Sequence, residues 1–245
     1  MVNNKILAVL TVVVGLGVAT SVLAWDDEKE EAMSLTPNIE NGRRIYEMCA
    51  ICHTPLGWGG QMGRFPQIAG QHPNVTIKQL ADIRSGNRDN PTMYPFAQAS
   101  VLGGPQNIAD VAAYIARLPM APVHEMGPGI ALERGAALYK EHCVKCHGET
   151  GEGNNNDFYP RIQGQHFSYL LRQFRWIKEG VRHNGDSSMV KQIKGFDEAD
   201  TLAVVDYVSH LQPPQEMVAP TGWRNPDFPV DFVTTPPIPF NAPTP

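Results

Sequence analysis

Two five-residue motifs, 94 positions apart, constrain this chain more than any other feature of its sequence. Cys49-Ala50-Ile51-Cys52-His53 and Cys143-Val144-Lys145-Cys146-His147 share the spacing C-x-x-C-H and together use all 4 cysteines of the 245 residues. Two thiols at this separation reach the two vinyl groups on one edge of a porphyrin, and the histidine that follows binds the iron. The motifs therefore predict two covalently attached haem c groups, with His53 and His147 as iron ligands.

Other uses of paired cysteines fit the sequence less well. A thioredoxin-like redox pair needs a strand–helix–strand context, whereas the surroundings here are predicted to be helical. A zinc site would pool both C-x-x-C pairs in one tetrahedron and leave the two following histidines without a role. Disulfides are usual in exported proteins, but the haem spacing already assigns every cysteine: Cys49, Cys52, Cys143 and Cys146.

The two halves of the chain match beyond the motifs. Residues 42–46, 65–72 and 111–115 resemble residues 135–139, 159–166 and 204–208, at offsets of 93 or 94. A duplicated, all-α domain with three main helices is the simplest account of this repeat. The predicted helices cover about 37–50, 75–85 and 107–117 in the first half, and about 167–179 and 198–211 in the second.

Two details of these helices are predicted from single residues. Thr36 is placed to cap the first helix, with a proline at its first position. Gly42 and Gly135 lie within helices at a cost in helix propensity, which is explained if the missing side chain lets another helix cross closely. Tyr114 and Tyr207 are the predicted partners at these crossings.

Composition and punctuation divide the chain into six segments. A short positive start, an apolar run and small residues before position 25 predict a signal peptide over 1–24, with a retained membrane anchor as the rival reading. An acidic segment, 25–36, follows. The predicted domains are 37–118 and 130–212, joined by a Pro-containing linker, 119–129. The Pro-rich residues 213–245 are predicted to form an extended tail, packed on the surface or disordered.

The second axial ligand of each iron has to come from a distant part of the chain. Met93 lies 40 residues after His53, and Met189 lies 42 after His147, each between the predicted middle and last helices. Their matched positions favour thioether ligation over simple core filling. The rivals are His72 and His166, which also match in the repeat. The remaining histidines are unmatched and are predicted to lie at the surface: His124, His142, His183 and His210.

Iron atoms with both axial positions filled favour electron transfer and disfavour catalysis. The formal net charge of −5 favours neither nucleic-acid binding nor an electrostatic hold on acidic lipid. The sequence therefore predicts an exported electron carrier and not an enzyme. Membrane association would come through a partner or through an uncleaved N-terminal segment.

These motifs together resemble the two-domain di-haem cytochromes c of the cytochrome c4 type, which are built from two class I cytochrome c folds. The resemblance rests on the C-x-x-C-H pairs, on residues 65–71 and 159–165, and on Met93 followed by Tyr94-Pro95-Phe96-Ala97. It implies that the carbonyls of Pro66 and Pro160 accept hydrogen bonds from the motif histidines. It also implies two three-to-four-helix domains, each around one haem, with the haem edges close together.

Three functions remain in competition. The leading one is a periplasmic electron shuttle, which takes electrons from a quinol-oxidising complex and passes them to a terminal oxidase or a periplasmic reductase. The second is a dedicated cytochrome subunit of a periplasmic dehydrogenase, fixed to it through the tail. The third is a di-haem enzyme, such as a peroxidase or a thiosulfate-oxidising enzyme, which needs an open or easily displaced ligand position.

Overall fold

The computed structural model describes residues 28–229 and 231–232 of the chain. Within them the structure is helical, and its β-structure is limited to two isolated bridges. The first half holds α1 (Ile39–His53), α2 (Pro73–Ser85), α3 (Tyr94–Ala97), α4 (Ala99–Leu102) and α5 (Pro105–Arg117). The second half holds α6 (Leu132–His142), α7 (Val144–His147), α8 (Phe167–Lys178), α9 (Ser187–Ile193) and α10 (Glu198–His210). The predicted all-α fold of two tandem domains is confirmed.

Each half is built on a close crossing between its first and last long helices. α1 packs against α5, and α6 packs against α10. A Cβ atom on Gly42 would lie 2.1 Å from the carbonyl oxygen of Asp110, and one on Gly135 would lie 2.1 Å from that of Ala203. No side chain fits at such a distance, so the predicted reason for both glycines is confirmed.

The aromatic residues beside these crossings fill the cores. The rings of Tyr46 and Tyr114 lie 5.2 Å apart between centroids, and those of Tyr139 and Tyr207 lie 5.5 Å apart. Both pairs are tilted, which is a favourable arrangement for aromatic rings. The repeat in the sequence therefore becomes a repeat in core packing.

The prediction of Thr36 as the cap of the first helix was wrong. Asn38 caps α1, because its side chain accepts a hydrogen bond from the N–H of Asn41 at 3.1 Å. The N–H of Asn38 donates to Oδ1 of Asp110 at 2.7 Å. A contact with α5, remote in the sequence, therefore fixes where α1 begins.

The chain after α10 returns to the first half and joins its core. The Trp223 ring lies 6.1 Å from that of Trp58. Phe228 is 9% exposed and meets the ring of Tyr46 edge-on at 6.0 Å. The described part of the predicted tail thus contributes apolar side chains to the first half, and the second half has no counterpart among the described residues.

The segment that joins the halves is buried at Met120, Ala121 and His124. Met120 pairs with Val218 in one of the isolated bridges. The prediction of His124 at the surface was wrong, since this residue is 8% exposed. Its Nε2 lies 2.8 Å from the carbonyl oxygen of Ser209, to which it donates a hydrogen bond. The linker lies against α10, and this tertiary contact buries the ring.

At the contact between the halves, the same pair of hydrogen bonds occurs twice. The N–H of Gln67 donates to Oε1 of Gln165 at 3.0 Å, and Nε2 of Gln165 donates to the carbonyl of Gln67 at 2.8 Å. Gln71 and Arg161 form the same pair of bonds, each at 2.9 Å. Because these residues match at an offset of 94, the duplicated sequence forms an interface with approximate two-fold symmetry.

The start of the chain is only partly described. The predicted signal peptide, 1–24, lies outside the described residues, as does the start of the acidic segment. Residues 28–34 of that segment are helical, and Glu28 forms an ion pair with the buried guanidinium of Arg84. Along the described part of the chain, no helix is long and apolar enough to cross a membrane.

Candidate haem-binding sites

The first C-x-x-C-H motif occupies the last turn of α1. Cys49 and Cys52 are three residues apart on this helix, so their side chains share one face, and His53 is its last residue. One turn earlier, the buried Tyr46 donates its hydroxyl hydrogen to the carbonyl of Thr54 at 2.9 Å. This bond fixes the backbone immediately after the motif.

The second motif has the same surroundings on a slightly different backbone. α6 ends before Cys143, and the short α7 carries the motif to His147. Tyr139 donates its hydroxyl hydrogen to the carbonyl of Gly148 at 2.7 Å. No role for Tyr46 and Tyr139 followed from the sequence, although their matched positions in the repeat mark them as a pair.

The state of the thiols fits thioether formation better than zinc or redox chemistry. All four cysteines are free and partly buried. Burial raises the pKa of Cys49 and of Cys143 to about 12. Zinc binding and disulfide exchange use the thiolate, which these positions disfavour. Addition of a thiol across a vinyl group gives an uncharged thioether, which suits a buried position.

Both motif histidines are buried and held by a backbone carbonyl. Nδ1 of His53 lies 2.9 Å from the carbonyl oxygen of Pro66, and Nδ1 of His147 lies 3.2 Å from that of Pro160. A carbonyl only accepts, so Nδ1 carries the proton in each ring. Burial also lowers the pKa of both imidazoles. The result is two neutral rings with the Nε2 lone pair available to a metal.

The two matched methionines lie in corresponding parts of the halves, between the middle and last long helices. The N–H of Met93 donates to the carbonyl of Asn90 at 3.0 Å, immediately before α3. Met189 lies in the first turns of α9, and its N–H is 3.3 Å from a carboxylate oxygen of Asp186, the cap of that helix. Both side chains are half-buried.

The rival histidines are engaged between the halves. Nε2 of His72 lies 2.8 Å from the carbonyl oxygen of Glu152, and Nε2 of His166 lies 2.8 Å from that of Trp58. Nδ1 of His166 also accepts from the N–H of Glu125 at 3.2 Å. Both ring nitrogens of His166 are therefore engaged, and His72 is tied to the opposite half through Nε2. These contacts fit an interface role better than a haem role.

Two arginines, the buried Arg88 and the partly buried Arg182, face each other across the interface. Arg88 donates to the side-chain oxygens of Gln79 and Gln173 at 2.8 and 3.2 Å, and Arg182 donates to the same two at 3.0 and 2.8 Å. Burial and the charge of Arg88 lower the pKa of Arg182 to about 10. Among the described residues, neither guanidinium has a carboxylate within ion-pair distance.

Positive charge held largely away from water is costly unless carboxylates pair with it. The propionate groups of haem supply carboxylates of the required charge. The residues present therefore fit haem c in three respects: thiols whose pKa is raised by burial at Cys49 and Cys143, neutral imidazoles with Nε2 available, and two arginines between the halves that form no ion pair with a described residue.

Comparisons with known proteins agree with this site. A family model described as cytochrome c matches twice, over residues 39–119 and again over 132–212. A cytochrome c4 of Pseudomonas aeruginosa is 30% identical over 178 residues, which cover 69% of this chain and 87% of that protein. A thiosulfate dehydrogenase electron acceptor of Stutzerimonas stutzeri is 29% identical over 198 residues, which cover 73% and 90% of the two chains.

Among solved structures, the crystal structure of reduced recombinant cytochrome c4 from Pseudomonas stutzeri is similar throughout its length. Its TM-score is 0.63 at 26% sequence identity, and the match covers 72% of this chain and 100% of that one.

Proposed function

Since this chain belongs to the cytochrome c family, as a di-haem protein of the cytochrome c4 type with two covalent haem c groups, we propose that it shuttles single electrons in the periplasm. Its donor in this proposal is a quinol-oxidising complex, and its acceptor is a terminal oxidase or a periplasmic reductase. The single observation that carries the proposal is the pair of buried imidazoles, each fixed through Nδ1 by a proline carbonyl.

The proposed ligand set is His53 with Met93 and His147 with Met189. When bound, haem iron supplies one-electron chemistry, and His/Met ligation favours its reduced state. The chain's own residues keep the ligands in place. The carbonyls of Pro66 and Pro160 hold the imidazole rings, so that little reorganisation accompanies a change of iron charge. Cys49, Cys52, Cys143 and Cys146 provide the covalent attachment.

The contact between the halves supports transfer of electrons within the molecule. Paired glutamine and arginine contacts join the segments that follow Pro66 and Pro160. Each of these prolines accepts the hydrogen bond of a motif histidine. A rigid, hydrogen-bonded interface keeps the two sites at a fixed separation, which a two-centre carrier needs.

The proposed location rests on the N-terminal sequence pattern. A positive start, an apolar run and small residues are typical of a signal peptide, so the domains are placed outside the cytoplasm. Fractionation of cells tests this directly. Recovery of the haem protein in the cytoplasmic fraction would contradict it.

A carbon monoxide titration of the reduced protein separates the carrier from an enzyme. With both axial positions filled, we expect no ready binding at either haem of the wild type. Met189→Ala serves as the positive control, since removing a proposed ligand opens one position and should allow binding at one haem. Ready binding by the wild type would refute the carrier and favour the enzyme.

A dedicated cytochrome subunit is the second candidate. It is favoured by the similarity to a protein named as a thiosulfate dehydrogenase electron acceptor. The test is the size of the native protein in a periplasmic extract, measured before any purification step. A free carrier elutes as one chain, whereas a dedicated subunit elutes with its dehydrogenase.

A further inference from the structure

A small cavity lies between the two halves, where Gln67 and Gln71 of the first meet Gln165 of the second. The centre of a water molecule has about 10 Å³ in which to move there. This is the volume that a single buried water needs, at about 10–15 Å³ by the same measure. Arg161 and Gln163 line the cavity as well, and Gln163 is 1% exposed.

Three buried polar atoms of these two side chains have no hydrogen-bond partner among the described residues. They are Nε of Arg161 and both amide atoms, Oε1 and Nε2, of Gln163. An unpaired side-chain amide is often explained by exchanging the assigned positions of its oxygen and nitrogen. That exchange does not help Gln163, because both of its amide atoms lack a partner. Protein interiors satisfy almost all buried polar groups, with ordered water where no protein group reaches.

The repeat explains why these atoms occur on one side of the interface. At an offset of 94, Arg161 corresponds to Gln67 and Gln163 corresponds to Ala69. The amide of Gln67 is satisfied, since it donates to the carbonyl of Gly164 at 2.8 Å and accepts from the N–H of Ala121 at 2.7 Å. The linker that supplies Ala121 passes the interface once. Arg161, the matched residue of Gln67, therefore has no linker N–H beside it.

We propose that this cavity binds one structural water molecule. The water accepts a hydrogen bond from Nε–H of Arg161 and is held by the side-chain amide of Gln163. Arg161 directly follows Pro160, whose carbonyl takes the hydrogen bond of His147. The bound water therefore anchors the segment that positions this imidazole, and the first half has no equivalent because Ala69 replaces the amide.

A high-resolution crystal structure of the full, haem-loaded protein tests the site without any substitution. We expect electron density for one water within hydrogen-bond distance of Nε of Arg161 and of the Gln163 amide. A site without density would overturn the proposal. This measurement holds even if variants at the interface fold poorly.

Gln163→Met tests the role of the amide, because methionine keeps the length of the side chain and removes both polar atoms. If the water is bound as proposed, the variant loses it and leaves Nε of Arg161 without a partner, and Tm falls by roughly 2–8 °C. If the amide were unsatisfied in the native protein, its removal would leave Tm unchanged or raise it. Either of those results, or a water retained in the variant, overturns the proposal.

The matched control is Gln215→Met. Gln215 is exposed, and its side chain makes no hydrogen bond within the described part of the chain. We expect its Tm to stay within about 1 °C of the wild type, as for surface substitutions generally. The difference between the two variants then reports the buried site and not the general effect of replacing glutamine by methionine.

Discussion

Gly135→Ala is the most direct test of how the second half is packed. Gly135 lies within α6, at its crossing with α10. An added Cβ would lie 2.1 Å from the carbonyl oxygen of Ala203 and 2.6 Å from Cβ of Tyr207. The first of these atoms belongs to the backbone and the second is fixed to it, so neither moves by a change of rotamer. The two helices have to separate to admit the methyl group.

The size of the effect follows from two opposing contributions. Alanine gains about 1 kcal/mol over glycine in a helix interior. Overpacking typically costs about 1–3 kcal/mol, and a backbone clash on this scale belongs at or above the upper end. We therefore expect a net loss of roughly 2 kcal/mol, which lowers the Tm of a domain of this size by roughly 8–16 °C.

Thermal unfolding followed by Soret absorbance and circular dichroism measures this loss. Gly195→Ala is the control, because a Cβ at Gly195 meets no atom within 4 Å and the residue is in the same half. The control should retain the wild-type Tm or exceed it slightly. A Gly135→Ala protein as stable as this control would refute the proposed crossing.

Three further predictions concern the tail and the interface. Asn225→Ala removes a hydrogen bond to the Tyr114 hydroxyl at 3.0 Å and should lower the free energy of unfolding of the first half by about 1–2 kcal/mol in a urea titration; an unchanged midpoint would contradict this. Phe228→Ala removes the ring that packs on Tyr46 and should cost about 3 kcal/mol, with the transition of the second half unaffected; equal loss in both halves would contradict a local role. Burial lowers the pKa of His166, so its contribution to stability is present above the unfolded pKa of about 6.5 and is lost as the pH falls from there through the lower folded pKa. His166→Gln should flatten this dependence in urea titrations between about pH 8 and about pH 5, and an unchanged slope would count against it.

The parts of the fold that were predicted correctly depend on local chemistry or on the repeat. The C-x-x-C-H spacing is local, and it identifies the haem groups without reference to tertiary structure. The close crossings were predicted because Gly42 and Gly135 are costly within helices and occupy matched positions. Local chemistry also explains the start of α10, where the Asp197 side chain accepts from the N–H of Asp200 at 2.8 Å.

The parts that were missed depend on contacts between residues far apart in the sequence. Asn38 replaces Thr36 as the helix cap because Asp110, 72 residues away, accepts its N–H. His124 is buried because the linker lies against α10, and no pattern near it in the sequence reports that contact. The tail has no periodicity, yet Phe228 packs in the core of the first half.

The interface between the halves contains features that the sequence revealed and features that it did not. The matched pair His72 and His166 was visible in the sequence. Whether these histidines bind iron or have another role depends on where the fold places them, which the sequence pattern does not report. The structure places both rings on carbonyls of the opposite half. Sequence periodicity describes faces of helices, whereas these bonds form between loops whose approach depends on how the two domains pack.

The optical spectrum of the oxidised protein tests the proposed ligand set most directly. A thioether bound to ferric haem gives a weak band near the red end of the visible range, and two such bonds predict the band at double strength. Met93→Ala and Met189→Ala should each remove about half of it, and the double variant should remove all of it. A wild-type protein without the band, or a band unchanged in either single variant, would contradict ligation by these methionines.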